Sequence, residues 1–272
     1  EDACSVVLLD KNREIVHEIK VPEEYCMGSL RSIAVENLKT EDLLYVYEVN
    51  GKQMLDPYAC RIVGREIWND ENRKPGNVCA AFVPAHFAWG EDRPPEIDRS
   101  QMIMYKLHVR GFTMDAKKSA ANGTFAALSA RIPYLKSLGV TTVELMPVYE
   151  FEERVFPETK TLPDYIQWKT EEEDMIVPQE ESTTLPKLNF WGYTKGDYFA
   201  VKSSYAKNPH LEAQEYKALI RKLHQNHMEC VMEFFFPDDT DQNLILTALR
   251  FWVMEYHVDG FHLLGENLPV TA

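Results

Sequence analysis

Two titratable side chains lie inside apolar runs, where a polar group needs a partner. Glu233 lies within Cys230–Phe236, and His262 lies within Phe261–Leu264. A buried carboxylate is costly unless it is paired or hydrogen-bonded, so Glu233 is either a binding-site residue or the structural partner of a cation. His262 has the donors to bind a ligand hydroxyl, but an imidazole satisfied within the core is the preferred interpretation.

The runs that carry these residues alternate with amphipathic segments. Predicted strands and helices follow one another in the order Met102–Val109, Thr124–Leu138, Thr141–Met146, Ala213–Asn226, Cys230–Phe236, Asn243–Tyr256 and Phe261–Leu264. Continuous apolar strands between helices are typical of a parallel sheet covered by helices. Four strands and three helices make up half of an eight-stranded barrel. We therefore expect residues 96–272 to form the first half of a TIM (β/α)8 barrel, and its C-terminal part to be absent from this chain.

The first 95 residues have a different texture, in which short β-rich runs alternate with polar turns. Asn50-Gly51 is a strong hairpin signal, since both residues tolerate the positive φ of a type I′ turn. Several short strands at this spacing predict an immunoglobulin-like β-sandwich over residues 1–95. Glu91–Pro95 then predicts a stiff linker. Trp68 and Trp89 are expected to pack between the two domains.

Composition narrows the function classes. The 272 residues include 29 basic and 43 acidic side chains, a formal charge of -14, which argues against a nucleic-acid partner. No apolar run is long enough to span a membrane. The five cysteines are scattered without CxxC spacing, so we expect reduced thiols, a cytoplasmic protein, no metal site and no cofactor. The acidic run Glu171–Asp174 is expected to be a solvated loop.

Several longer motifs resemble glycoside hydrolase family 13, the α-amylase superfamily, and its isoamylase, pullulanase and glycogen-debranching branch in particular. Segments 104–113, 132–141, 143–151 and 189–193 are similar to the first two barrel strands, the helix between them and the segment that follows. Asp56-Pro57-Tyr58-Ala59 and Phe87-Ala88-Trp89-Gly90 resemble a family 48 carbohydrate-binding-module-like domain. The resemblance implies α-glucan or maltooligosaccharide as the ligand class.

The catalytic motif of that family is altered here. Retaining cleavage of an α-glucan needs two carboxyl groups about 5 Å apart, one of which is the nucleophile. The family pattern Asp-Gly-Phe-Arg-x-Asp corresponds to residues 259–264, which places His262 at the arginine position and Leu264 at the nucleophile position. Leucine is unable to attack a sugar carbon. Glu266 has the same strand parity and is a remote candidate for a relocated nucleophile.

The neighbouring sugar-binding motif is altered as well. Glu233 matches an aspartate of the family's third strand, but Pro237-Asp238 replaces its Asn-His pair. Tyr193 matches an aromatic platform under the sugar ring, and Trp191 lies close to it in the chain. The residues expected to bind substrate are therefore Tyr193, Trp191, His262 and Glu233.

Three functions follow as hypotheses. The first is a debranching-like protein of α-glucan metabolism with degenerate catalytic motifs and no ordinary retaining hydrolysis. The second is an active α-glucan hydrolase or transferase whose nucleophile has moved. The third is a non-catalytic scaffold subunit that accompanies an active glucan enzyme. The oligomeric state and the linkage type are left open by the sequence.

Overall fold

The computed structural model describes residues 4–27, 30–73, 77–83, 86–115, 121–155, 186–266 and 268. Within this part the strands are β1 (Cys4–Leu9), β2 (Ile15–Lys20), β3 (Cys26–Met27), β4 (Leu30–Arg31), β5 (Leu44–Val49), β6 (Lys52–Met54), β7 (Ile62–Val63), β8 (Cys79–Ala81), β9 (Met104–Leu107), β10 (Thr142–Leu145), β11 (Tyr149–Phe151), β12 (Arg154–Val155), β13 (Lys187–Leu188), β14 (Gly196–Val201), β15 (Glu229–Phe235) and β16 (Gly260–Leu264). The α-helices are α1 (Gly111–Met114), α2 (Phe125–Ala130), α3 (Ile132–Ser137), α4 (Glu212–Gln225) and α5 (Gln242–Tyr256). The acidic run 171–174 lies outside the described residues.

The N-terminal part is built on one antiparallel sheet. Its strand order is β2-β1-β5-β8-β7, with β6 added to β5. The predicted hairpin is confirmed, because Asn50 and Gly51 join β5 to β6 with φ of 53° and 75°. One face of the sheet buries a small core of Val7, Leu9, Leu44, Val46, Cys79 and Ala81. A separate ladder pairs β3 with β4, and the two-sheet sandwich stays a prediction.

The second part contains a parallel sheet of four strands that follow chain order, β9-β10-β15-β16. Each predicted strand of the βα alternation is present, with ends shifted by up to two residues. One face of this sheet packs into the main core through Val143, Leu145, Cys230, Met232 and Phe234. The side chains that alternate with these point to the opposite face. That opposite face carries the candidate site.

The predicted helix over residues 124–138 is two helices. Thr124 caps α2 by accepting a hydrogen bond from the backbone N–H of Ala127, and the helix ends at Ala130. Pro133 lies in the first turn of α3, where its missing N–H costs nothing. Gly139 follows α3 with φ of 78°, as expected of a glycine after a helix. Among the described residues, no helix has the length and apolar character that a membrane crossing requires.

A buried network of charges joins the N-terminal part to the rest of the chain. The Lys202 side chain is fully buried, and its Nζ lies 2.6 Å from Glu150 Oε1 and 2.9 Å from Glu153 Oε2. Glu153 Oε1 in turn accepts hydrogen bonds from the Asn69 backbone N–H and from Arg73, both in the N-terminal part. Trp68 packs beside this network, with Lys202 Nζ 5.7 Å from its ring centre.

The pairing in this network keeps the Glu153 carboxylate ionised. Burial opposes the charge on Glu153, but Lys202, the Asn69 N–H and Arg73 bring its pKa down to about 2. Glu150 is also fully buried, and its second oxygen accepts hydrogen bonds from the backbone N–H and hydroxyl of Ser203. Removal of the central cation would leave Glu150 buried without its ion-pair partner and Glu153 paired with Arg73 alone.

We predict that Lys202→Met lowers the free energy of unfolding by about 3–5 kcal/mol, because a broken buried ion pair leaves an unpaired charge in the interior. Urea denaturation followed by far-UV circular dichroism measures the change. Lys195→Met removes an exposed lysine and is the matched control, with an expected effect within about 0.5 kcal/mol. Equal effects of the two substitutions would contradict the role of the network.

A second clasp holds the predicted linker against the helices. Asp92 is 1% exposed at its side chain and contacts His224 Nδ1 at 3.0 Å and His257 Nδ1 at 2.7 Å. The other ring nitrogen of His224 lies 3.0 Å from Asp259 Oδ2. Trp89 stacks on His257 with ring centres 3.8 Å apart, so it packs against the second part of the chain as expected. Asp92, which lies within the predicted linker, is therefore buried against His224 and His257.

This clasp makes stability depend on pH. Burial alone lowers the pKa of His224, but Asp259 and Asp92 outweigh burial and raise the pKa above the ordinary 6.5. The folded protein therefore keeps the His224 proton at pH values where the unfolded chain has lost it. Its stabilising contribution is complete below about pH 6.5 and declines as pH rises through the folded-state pKa.

We predict that His224→Gln lowers the free energy of unfolding by about 1.5–3 kcal/mol at pH 6, the usual range for a charged hydrogen bond, and by less at pH 9. Urea denaturation at a series of pH values measures the difference between variant and parent. His17→Gln, in the exposed strand β2, serves as the control and should be neutral across the series. A difference for His224→Gln that grew with pH would refute the assignment.

Candidate functional site

Three neighbouring pairs of strands bring four polar side chains to one face of the parallel sheet. Lys106 on β9 lies beside Glu144 on β10, in register. Glu233 on β15 lies beside His262 on β16, also in register. Since Glu144 is in register with Val231, the second pair lies two residues nearer the carboxyl ends of the strands. With Tyr193, which reaches the group from the loop before β14, these four residues form what we call the charged cluster.

Short contacts connect the members of the charged cluster. Glu233 is the centre: its Oε2 accepts a hydrogen bond of 2.8 Å from the Tyr193 hydroxyl, and its Oε1 is in ion-pair contact with Lys106 Nζ. His262 Nδ1 lies 2.7 Å from Glu144 Oε1 and 3.2 Å from Glu233 Oε1. Lys106 Nζ is 3.9 Å from Glu144 Oε1. Two carboxylates therefore share a lysine and a histidine.

The pKa values of the two carboxyl groups of the cluster are shifted in opposite directions. Burial opposes the charge on Glu233, but hydrogen bonds from Glu144, Lys106 and Tyr193 lower its pKa. Burial and the hydrogen bond with Glu233 raise the pKa of Glu144 in spite of His262. Of the two, Glu144 is therefore the carboxyl group that takes up a proton first as pH falls. The sequence left Glu233 as a site residue or as a cation partner, and the contact with Lys106 places it in an ion pair.

The structure corrects the preferred interpretation of His262 as a satisfied core residue. Its side chain is 47% exposed, whereas Glu144 and Glu233 beneath it are 8% and 0% exposed. His262 projects from the face of β16 that lies opposite the apolar core, and β16 is the last of the four parallel strands that the structure describes. A half-exposed imidazole above two buried carboxylates is accessible to a ligand.

Trp191 lies apart from the charged cluster. Its ring is 52% exposed and makes edge contacts with Phe190 and His108, at 5.0 and 5.9 Å between ring centres. Burial lowers the pKa of His108 to about 4. Its Nδ1 accepts a hydrogen bond from the Gly111 backbone N–H, so the proton is on Nε2, which donates to the Phe190 carbonyl. His108 thus fixes the loop that carries Trp191.

Leu264 is the last residue of β16, and Glu266 follows two residues later. Leu264 shares the His262 face of the strand, and its carbonyl accepts a hydrogen bond from the Phe236 N–H. Gly265 follows with φ of 142°, and a Cβ there would lie 2.3 Å from the Phe236 carbonyl oxygen. Glu266 is exposed beyond this bend, and the described residues contain no hydrogen-bond or ion-pair partner for it. The structure does not bring Glu266 to the charged cluster.

Sequence reasoning placed Tyr193, Glu233 and His262 together but gave no role to Lys106 or Glu144. The signal was present in the alternation of β10, where a glutamate interrupts the apolar run 142–145. Lys106 interrupts β9 in the same way. Charged residues at matching positions of adjacent parallel strands must lie side by side, and this alignment identifies both residues.

Comparisons with known proteins agree on one group. No family model matches the chain. It is 25% identical over 321 residues to isoamylase 3, chloroplastic, of Oryza sativa subsp. japonica, with 93% of this chain and 38% of that protein aligned. It is 24% identical over 310 residues to the glycogen operon protein GlgX homolog of Haemophilus influenzae, with 87% and 43% aligned.

The fold comparison gives the same direction. A crystal structure of a mutant pullulanase from Paenibacillus barengoltzii, complexed with maltotetraose, superposes with a TM-score of 0.68 at 21% identity. The match covers 96% of this chain and 45% of the pullulanase. The sequence is therefore homologous to those of isoamylases and glycogen-debranching proteins, and the fold is that of the corresponding part of a pullulanase. The chain spans less than half the length of these relatives.

We predict that Lys106→Met destabilises the protein at pH 7 by about 1 kcal/mol, a modest figure because the Lys106 side chain is 43% exposed. The pKa of Glu233 is lower in the folded protein than in the unfolded chain, so its ion pair stabilises the fold at pH values above the unfolded-state pKa. This stabilisation is lost as pH falls through the folded-state pKa. The loss caused by the variant should therefore shrink below about pH 4. Urea denaturation at pH 7 and at about pH 3 tests this, with exposed Lys136→Met as the control. A loss that persisted at the lower pH would contradict the ion pair.

Proposed function

We propose that this chain is the front part of a debranching-like protein of the α-amylase superfamily that binds α-glucan and does not perform ordinary retaining hydrolysis. The single observation that carries the proposal is Leu264 at the nucleophile position, next to a cluster whose charges neutralise one another. The homology to isoamylases and the pullulanase fold support the class. The ligand class rests on the motif resemblance and on the maltotetraose complex of the pullulanase neighbour.

The charged cluster is unsuited to replace the missing nucleophile. A glycosidase nucleophile must reach the anomeric carbon of its substrate. Glu233 is fully buried, and Lys106, Tyr193 and Glu144 occupy its oxygens. Glu144 has a raised pKa, which lowers the fraction of nucleophilic carboxylate. Neither Glu233 nor Glu144 is therefore placed to act as the nucleophile. Double displacement would require a carboxylate from another part of the protein.

Binding of a sugar chain is compatible with the same face. The charged cluster offers a half-exposed imidazole at His262, and the loop before β14 separately carries an exposed indole at Trp191. Sugar rings stack their apolar faces on aromatic side chains, and their hydroxyls take hydrogen bonds from groups such as an imidazole. Tyr193 contributes through Glu233, which orients its hydroxyl.

The decisive experiment separates turnover from binding in the full-length protein. We expect no release of reducing ends from amylopectin, pullulan or maltooligosaccharides above the level of a heat-inactivated control. We expect retarded migration in native gels that contain glycogen or amylopectin. Robust turnover with retention of configuration would overturn the proposal.

We predict that Trp191→Ala weakens glucan binding about 3- to 10-fold, in line with the 0.5–1.5 kcal/mol that aromatic contacts contribute. Affinity gel electrophoresis measures the change. Tyr134→Ala removes another half-exposed aromatic ring from helix α3, on the far side of the sheet core, and should leave migration unchanged. Equal migration of parent and Trp191→Ala would remove Trp191 from the binding surface.

Two other functions are distinguished by the same set of assays. If activity is found, Glu266→Gln tests the relocated nucleophile: loss of turnover supports relocation, and unchanged turnover excludes it. The exposed position of Glu266, outside the charged cluster, does not favour this alternative. A protein with neither turnover nor glucan affinity would fit the scaffold subunit of an active glucan enzyme.

The architecture that we propose follows the same resemblance. Residues 1–95 form a carbohydrate-binding-module-like sandwich, and residues 96–272 form the first four strands of a glycosidase-like barrel. The chain order of the parallel strands supports the barrel. A cytoplasmic location is also a proposal, and isoamylase 3 of Oryza sativa is named as chloroplastic.

A further inference from the structure

Three donor atoms of the charged cluster converge on a common point. Glu144 Oε1, Glu233 Oε1 and His262 Nδ1 lie within 4.8 Å of one another. The imidazole nitrogen is 2.7 Å from the first oxygen and 3.2 Å from the second. Ligand atoms at about 2.0–2.2 Å from a common metal ion are themselves about 3 Å apart. The three donors are therefore spaced as if they shared one small cation.

A second observation points to a ligand at the same place. Glu233 is fully buried, and its Oε1 lies against the Lys106 ammonium and, at 3.2 Å, against His262 Nδ1. Its neighbours are cationic or potentially cationic groups, the Lys106 ammonium and the His262 ring. A buried carboxylate oxygen in this state requires a positive charge beside it.

Lys106 is an exchangeable counter-ion. Its side chain is 43% exposed, so the ammonium can leave Glu233 and reach solvent while its methylenes stay on the sheet. Tyr193 would keep its hydrogen bond to Glu233 Oε2 and hold the carboxylate in place. Metal ligands are commonly oriented by such hydrogen bonds from residues that do not contact the metal.

We propose that Glu144, Glu233 and His262 form a site for one divalent transition-metal ion, which replaces the Lys106 ammonium when it binds. Two carboxylates and one imidazole suit zinc or manganese, whereas calcium and magnesium prefer oxygen donors alone. The exposed side of His262 leaves room for water to complete the coordination. Sequence reasoning expected no metal because the cysteines lack CxxC spacing. The three ligands proposed here come from three different strands and form no local spacing motif.

The test is isothermal titration calorimetry of the chelator-treated, full-length protein with zinc chloride and, separately, manganese chloride. We expect one ion per chain for at least one of the two metals. His262→Ala should weaken binding more than about 100-fold, because even loss of a group behind a ligand costs 10- to 100-fold. Lys106→Met should tighten binding about tenfold or more, because the metal ion then has no bound ammonium to displace.

Matched controls separate the site from general metal binding. Glu266→Gln and His17→Ala each remove one side chain of the same type at an exposed position and should leave the affinity unchanged. Glu233→Gln should abolish binding. If this substitution at a buried position prevents folding, His262→Ala tests the same site at an exposed position. The proposal is wrong if the folded parent protein binds neither ion. It is equally wrong if His262→Ala binds as tightly as the parent.

Discussion

The burial of Lys202 is the constraint on which the arrangement of the two parts depends. A fully buried ammonium is tolerated only with carboxylates at hydrogen-bond distance, and Glu150 and Glu153 supply them. Glu153 is in turn fixed by Asn69 and Arg73, so the pairing that neutralises Lys202 also attaches the N-terminal part. Because a buried ion pair tolerates little displacement, this junction holds residues 69–73 against the segments that carry Glu150, Glu153 and Lys202.

With that junction fixed, the parallel sheet has two chemically different faces. One face is apolar and is covered by α2, α4 and α5, which contact one another and the strands. The other carries Lys106, Glu144, Glu233 and His262 at register positions of adjacent strands. Strand alternation makes this division unavoidable once the apolar residues are placed inside. The charged cluster is thus a product of strand register, and its chemistry follows from which charges the register places side by side.

Local patterns in the sequence sufficed for the elements and fell short for the cluster. The apolar run at 230–236 and Gly139 after α3 predicted a strand and a helix end, because both effects act within a few residues. Pro133 was a local signal for a second helix start inside 124–138. The pairing of Glu144 with His262 joins residues 118 positions apart, and no local pattern encodes the register of two distant strands. The exposure of His262 was missed for the same reason.

The charged cluster buries two carboxyl groups, Glu144 and Glu233, and this burial has a physical consequence of its own. Replacing a buried ionic group by apolar residues of similar volume is often neutral or stabilising, so stability alone does not require Glu144 and Glu233. The chain instead holds them with Lys106, Tyr193 and His262, three separate partners on different elements. The Leu264 side chain carries no group able to attack a sugar carbon, while the cluster contains a negative centre that must be matched by a cation. On physical grounds, this face of the sheet is therefore built to hold a positive charge, whether that charge is the lysine ammonium or an ion taken from solution.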